Sequence, residues 1–180
     1  VNKQIAGGIF WRACQSMGQQ SCSFVIGIVM ARLLGPTDFG LFAIVYFFVT
    51  ILEVFSDGGM GLALVQKREV DRIDYNTVLY FNIAVSTLCA VALALVAPWI
   101  AEFYHQPMAT PLLRVIGLKI IIDSLGTVQF AQLRRELRFR AIALSNICSI
   151  AVGGGVGIGM AFAGFGVWSL IGQQLTLAIV

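Results

Sequence analysis

The sequence predicts an all-α fold: a polytopic bundle of six membrane-spanning helices around a polar interior. Three observations carry that prediction. First, hydrophobic residues make up 58% of the 180-residue chain and charged residues 12%, about half the charged share of an ordinary soluble domain. With a mean hydropathy of +0.87, such a chain cannot cover its apolar surface with polar groups, so lipid is its solvent. Second, the apolar residues fall into six runs of helical length, divided by short segments rich in Gly, Pro or charge. Third, several of those runs carry acids and cations in their interior. Charge at that depth must face other helices or a wet cavity.

The first run covers about residues 5–34. Arg12, Ser16, Gln19 and Ser23 fall at helical spacing and form one polar stripe. Arg12, Gln15 and Gln19 are therefore candidate cavity-lining residues. Trp11 is placed to anchor at the interface. Polar residues interrupt the run and no small-residue cleavage site closes it, so it does not read as a cleaved signal. Gly35 and Pro36 end the helix, and Thr37 or Asp38 can cap the next.

The second run, about 40–64, is longer than a bilayer requires, yet holds Glu53 and Asp57 four residues apart. Tyr46, Thr50, Glu53 and Asp57 are expected on one face. Two readings stay open: the acids serve a gate or an ion-coupling site, or they solvate the cytoplasmic rim. Gly58, Gly59 and Gly61 weaken the helix there and are expected to hinge it.

The third run, about 75–100, carries Asn82, a further cavity candidate, and ends in an aromatic belt of Trp99, Phe103 and Tyr104. The fourth, about 112–133, holds Lys119 and Asp123 near mid-depth. These are four apart and expected to pair along the helix, either as a structural pair or as a functional one. The basic run Arg134-Arg135-Glu136-Leu137-Arg138-Phe139-Arg140 lies between two spans, where it reads as a cytoplasmic anchor rather than a nucleic-acid patch.

The fifth run, about 141–162, contains Gly153, Gly154, Gly155, Gly157 and Gly159. The pairs 153/157 and 155/159 are small-x-x-x-small, which lets helices approach closely. The sixth run, about 167–180, reaches the end of the sequence inside apolar residues. The chain is accordingly expected to be the front half of a longer protein.

Several function classes lack their chemistry here. The four cysteines lie in apolar segments without metal-ligand spacing, and His105 stands alone, so neither a metal site nor a cofactor is expected. A phosphate loop would need a strand and a Lys beside its glycines. A membrane glycosyltransferase or polymerase would need an aqueous loop with clustered acids. A structural scaffold fits poorly with charges inside the spans. With the N-terminus inside, nine of the twelve Lys and Arg fall on the cytoplasmic side, which sets the expected orientation.

Four stretches carry a resemblance. Ala31-Arg32-Leu33-Leu34-Gly35-Pro36-Thr37-Asp38-Phe39-Gly40-Leu41-Phe42 resembles the first-loop signature of polysaccharide exporters. Phe55-Ser56-Asp57-Gly58-Gly59-Met60-Gly61-Leu62-Ala63-Leu64-Val65-Gln66 is similar to the segment that follows in them. Ala97-Pro98-Trp99-Ile100-Ala101-Glu102-Phe103-Tyr104 and Leu133-Arg134-Arg135-Glu136-Leu137-Arg138-Phe139-Arg140 are similar in the same way. In that order they resemble the polysaccharide transporter branch of the multidrug/oligosaccharidyl-lipid/polysaccharide flippase superfamily, of the colanic acid and teichuronic acid exporter type.

The resemblance implies one six-helix lobe of a two-lobe flippase in the bacterial inner membrane. Its substrate would be an undecaprenyl-diphosphate-linked oligosaccharide. Membrane lipid, a polysaccharide polymerase and chain-length machinery would be its partners. Carried over by position and charge, Arg12 is the expected diphosphate ligand and Lys119 the second. Gln15, Gln19 and Asn82 would complete the cavity. Glu53, Asp57 and Asp123 would serve the gate or an ion, with the acids of the second run pairing to Arg12 when no substrate is bound. A small-molecule/cation antiporter of the same fold is the alternative. The first run carries no acid of the kind those antiporters use, and sensitivity of a null strain to drugs separates the two.

Overall fold

The computed structural model describes residues 2–58, 72–135 and 139–180, with side chains from residue 18 onward except at 57, 72, 74, 135, 139 and 140. Among the described residues the fold is all-α, as expected, with six helices: α1 (Asn2–Leu33), α2 (Pro36–Asp57), α3 (Arg72–Phe103), α4 (Ala109–Arg135), α5 (Phe139–Phe162) and α6 (Trp168–Ile179).

The helix ends follow from local chemistry. α1 stops before Gly35-Pro36, because proline disfavours a helical residue ahead of it. Pro36 then opens α2, where its missing N–H costs nothing. The N–H groups of Asp38 and Phe39 donate to the Gly35 carbonyl. α2 closes at Gly58, which is left-handed (φ 48°, ψ 14°) and donates its N–H to Val54 O. The span expected over 40–64 is corrected here: it starts at Pro36 and ends at Asp57. The rest of the expected hinge, at 59–61, lies outside the described residues.

Two further helices end in the same device. Gln106 N–H reaches Ala101 O while His105 N–H reaches Glu102 O, and His105 sits at φ 53°. At the end of α5, Phe165 N–H reaches Met160 O, Gly164 N–H reaches Ala161 O, and Gly164 sits at φ 81°. Both are six-to-one, five-to-two caps around a left-handed residue.

α4 is the central helix, packed on α2, α3, α5 and α6. Its Ala109, Leu112, Leu113, Ile116 and Ile120 are buried against Leu41, Val45 and Val49 of α2 and Leu93, Ala97, Ile100 and Ala101 of α3. Val167 and Ile171 at the head of α6 complete the cluster. A second cluster joins Ile26, Met30 and Leu34 of α1 to Leu170 of α6, with Ile150, Ile158 and Ala161 of α5 against it.

The outside is inverted relative to a soluble domain. Phe47, Phe55, Tyr80, Leu88, Leu95, Trp99, Phe103 and Phe162 are exposed, while Asn82, Ser86, Lys119, Ser124, Ser149 and Ser169 are buried. Lipid-facing apolar side chains around a polar interior are the pattern of a membrane bundle. Among the described residues, three helices are long and apolar enough to cross a bilayer: Pro36–Ser56, Tyr75–Phe103 and Ala141–Phe162. These surround α4, whose enclosure lets it carry charge.

The glycine stripe of α5 divides by face. A Cβ on Gly153 would lie 2.9 Å from Leu177 Cγ, and one on Gly157 would lie 2.9 Å from Gln173 Cβ, both on α6. One on Gly154 would overlap Ile26 of α1. Around Gly155 and Gly159 there is open space. Of the two small-residue pairs read from the sequence, 153/157 is a packing seam and 155/159 is not.

Candidate functional site

Lys119 points from the buried side of α4 toward α2. Its Nζ lies 2.5 Å from Glu53 Oε1 and 2.6 Å from Asp123 Oδ2. A buried ammonium is tolerated because both carboxylates replace its water. The three side chains together carry a formal charge of −1. The pair expected within one helix is present, and α2 joins it. In the structure, Glu53 has Lys119 as its partner among the described residues; the expected pairing with Arg12 lies outside them.

A second polar contact ties α2 to α3 one turn further on. Ser86 Oγ donates to Asn82 O at 2.5 Å, and Ser56 Oγ lies 2.6 Å from Ser86 Oγ. Each hydroxyl has one proton, so Ser56 is the donor of the second bond. Beside these groups lies a small cavity of about 180 Å³, lined by Glu53, Ser56, Ile120, Asp123, Ser124 and Thr127.

The larger cavity lies on the other flank of α4. It has about 720 Å³ and opens between α1, α4, α5 and α6. Its polar wall is Gln19, Gln20 and Ser23 from α1, Asp123 and Gln129 from α4, and Ser145, Asn146 and Ser149 from α5. Asp123 borders both cavities. Gln19 Nε2 is buried and has no hydrogen-bond partner among the described residues.

Of the cavity residues expected from the sequence, Gln19 lines this wall, and so does Asp123, expected at the gate or an ion site. Lys119 and Asn82 are not among the residues that line it. Lys119 is turned toward its carboxylates, away from the wall, because a cation at this depth needs counter-charges. Asn82 is buried on α3 at 1% exposure, with its side-chain amide unpartnered among the described residues. The expected face of α2 also divides: Glu53 faces α4, while Thr50 is exposed and donates back to Tyr46 O at 2.9 Å. The side chains of Arg12, Gln15 and Asp57 lie outside the described residues.

Sequence reasoning missed Gln20, Gln129, Ser145, Asn146 and Ser149 as wall residues. The signal was available in part: Ser145 and Ser149 are four apart on a lipid-length apolar helix, the same rule that marked the stripe on the first run.

A family model described as a polysaccharide biosynthesis protein matches residues 29–180. The succinoglycan biosynthesis transport protein ExoT of Rhizobium meliloti is 29% identical over 178 residues, covering 99% of this chain and 36% of the relative. The lipopolysaccharide biosynthesis protein WzxC of Escherichia coli is 21% identical over 85% of this chain and 31% of the relative. The teichuronic acid biosynthesis protein TuaB of Bacillus subtilis is 28% identical over 83% of this chain and 31% of the relative. The chain thus spans about a third of the length of the curated relatives it matches. No solved structure matches it.

Proposed function

The chain belongs to the polysaccharide biosynthesis protein family, and from that membership we propose that it forms the N-terminal lobe of a flippase. The substrate is an undecaprenyl-diphosphate-linked oligosaccharide, carried across the bacterial inner membrane for export. The protein is a transporter, not an enzyme. One observation carries the reading beyond the family: a polar-walled cavity of about 720 Å³ lies inside a bundle whose outer surface is apolar. A hydrophilic headgroup crossing hydrocarbon unaccompanied costs many kcal/mol, and such a wall replaces its water.

In this reading all six helices span the membrane with the N-terminus inside, because that orientation places nine of the twelve Lys and Arg at the cytoplasmic face. The large cavity then lies in the cytoplasmic half. Arg12 and Gln15, on the first helix, meet the diphosphate. Arginine matches phosphate oxygens in a bidentate way. Glu53, Asp57 and Asp123 act at the cytoplasmic gate, with the Glu53–Lys119 link holding α2 to α4 while the lobe is at rest. The lipid tail stays in the bilayer. A second lobe, polymerase and chain-length proteins complete the export pathway.

Complementation tests this. The full-length gene, wild type or Arg12→Ala, is expressed in a strain lacking its own polysaccharide exporter, and surface polymer and accumulated lipid-linked units are measured. Rescue by wild type alone, with the variant inserted normally, supports the flippase and the role of Arg12. Rescue by both returns Arg12 to an interfacial anchor. Failure of wild type in its own source strain, deleted for the gene, sinks the transporter reading.

A further inference from the structure

The described part of the large cavity's wall has a composition that a diphosphate does not fit. Asp123 is the one charged side chain among its described lining residues, and the rest of the polar wall is amide and hydroxyl. The nearby cation, Lys119, is held by Glu53 and Asp123 at 2.5 and 2.6 Å, and that triad has an excess negative charge. An anion with about two charges is repelled there. A sugar has the opposite match. Each hydroxyl both donates and accepts, as do the amides of Gln129 and Asn146 and the hydroxyl of Ser145. Gln19 Nε2 waits buried without an acceptor, which a hydroxyl or ring oxygen supplies. The volume lies within the range of about 300–1,000 Å³ typical of small-molecule sites.

We infer that this cavity is a glycan subsite, taking uncharged sugar residues of the lipid-linked unit, and that the diphosphate binds outside it. The inference rests on the transporter reading above. It divides the substrate between two places: sugars against α1, α4 and α5 deep in the lobe, and the charged linkage at other residues. Asp123 borders both the sugar cavity and the Lys119 pair, and its second oxygen is left to accept from a sugar hydroxyl while Oδ2 holds Lys119.

The test uses the purified full-length protein and native mass spectrometry with two probes. One is sugar-free undecaprenyl diphosphate. The other is the lipid-linked oligosaccharide pool extracted from the source strain deleted for this gene. The variants are Gln129→Ala/Asn146→Ala and, separately, Ser145→Ala. The double variant is expected to weaken binding of the glycosylated pool about tenfold or more, on the scale of two lost hydrogen bonds. Sugar-free lipid is expected to stay within about twofold of wild type, which also shows that the variant is folded. Ser145→Ala is expected to shift the same ratio by a smaller factor. Equal weakening of both probes, or no change in either, overturns the glycan subsite and leaves the transporter reading standing. Wild-type protein that binds neither probe removes both.

Discussion

Lys119 of α4 is bound to Glu53 of α2, 66 positions earlier in the chain, at 2.5 Å. Spacing along α4 accounts only for the bond to Asp123. The contact with Glu53 makes the lysine a clamp between helices. It also explains how a charged side chain is kept at 9% exposure inside an apolar bundle.

Removing that clamp is expected to destabilise the bundle. Lys119→Met leaves two carboxylates unpaired. Their side chains are 25% and 38% exposed, so the loss falls between surface and fully buried pairs, at about 2 kcal/mol. Glu53→Gln is expected to cost less, because Asp123 still neutralises the lysine. Thermal unfolding of detergent-purified protein across the double-mutant cycle reads the coupling. Strict additivity of Glu53→Gln and Lys119→Met would show that the pair carries no linking energy.

Neighbouring glycines on α5 are expected to respond oppositely to alanine. Gly154→Ala drives a methyl into Ile26, an overpacking cost of about 1–3 kcal/mol. Gly155→Ala meets open space and is expected to stabilise the helix by about 0.5–1 kcal/mol. Melting temperatures of the two variants, measured side by side, check the assignment of faces. Pairing Gly154→Ala with Ile26→Val is expected to recover part of the loss.

The two capped helix ends make a matched comparison. Gly164→Ala forces a Cβ into the left-handed region at φ 81°, at a cost of about 1–2 kcal/mol. His105 already bears that cost at φ 53°, so His105→Gly is expected to be neutral or stabilising. Urea midpoints that fall for both variants would contradict the shared cap geometry.

The proposed orientation gives a labelling pattern. In a background with the four native cysteines replaced by serine or alanine, His105→Cys is expected to react with a membrane-impermeant maleimide in intact cells. Arg134→Cys is expected to react only after permeabilisation. The reverse pattern would invert the topology.

Much of the fold was legible in the sequence because bilayer length and helical period are local properties. Apolar runs, Gly-Pro punctuation and charge placement need no knowledge of what lies across the bundle. The Lys119–Asp123 pair and the polar stripe containing Gln19 were readable for the same reason: residues four apart share a helix face whatever surrounds them. The end of α2 was misread because its apolar run continues past Gly58, and hydropathy does not register a left-handed glycine.

By itself, then, the sequence determined the all-α membrane class, the helix order and which helices carry charge. Only the tertiary structure decided which charged and polar groups meet. It placed Glu53 on Lys119 across two helices, turned Lys119 from the cavity wall, and set Gln19 and Asp123 against Gln129, Ser145 and Asn146. It also separated Gly154 from Gly155, adjacent in sequence, into a packed face and an open one. The physical reason is common to all four. A helix fixes the direction of each side chain about its own axis, while the partner in that direction is set by helix packing, which couples residues far apart in the chain.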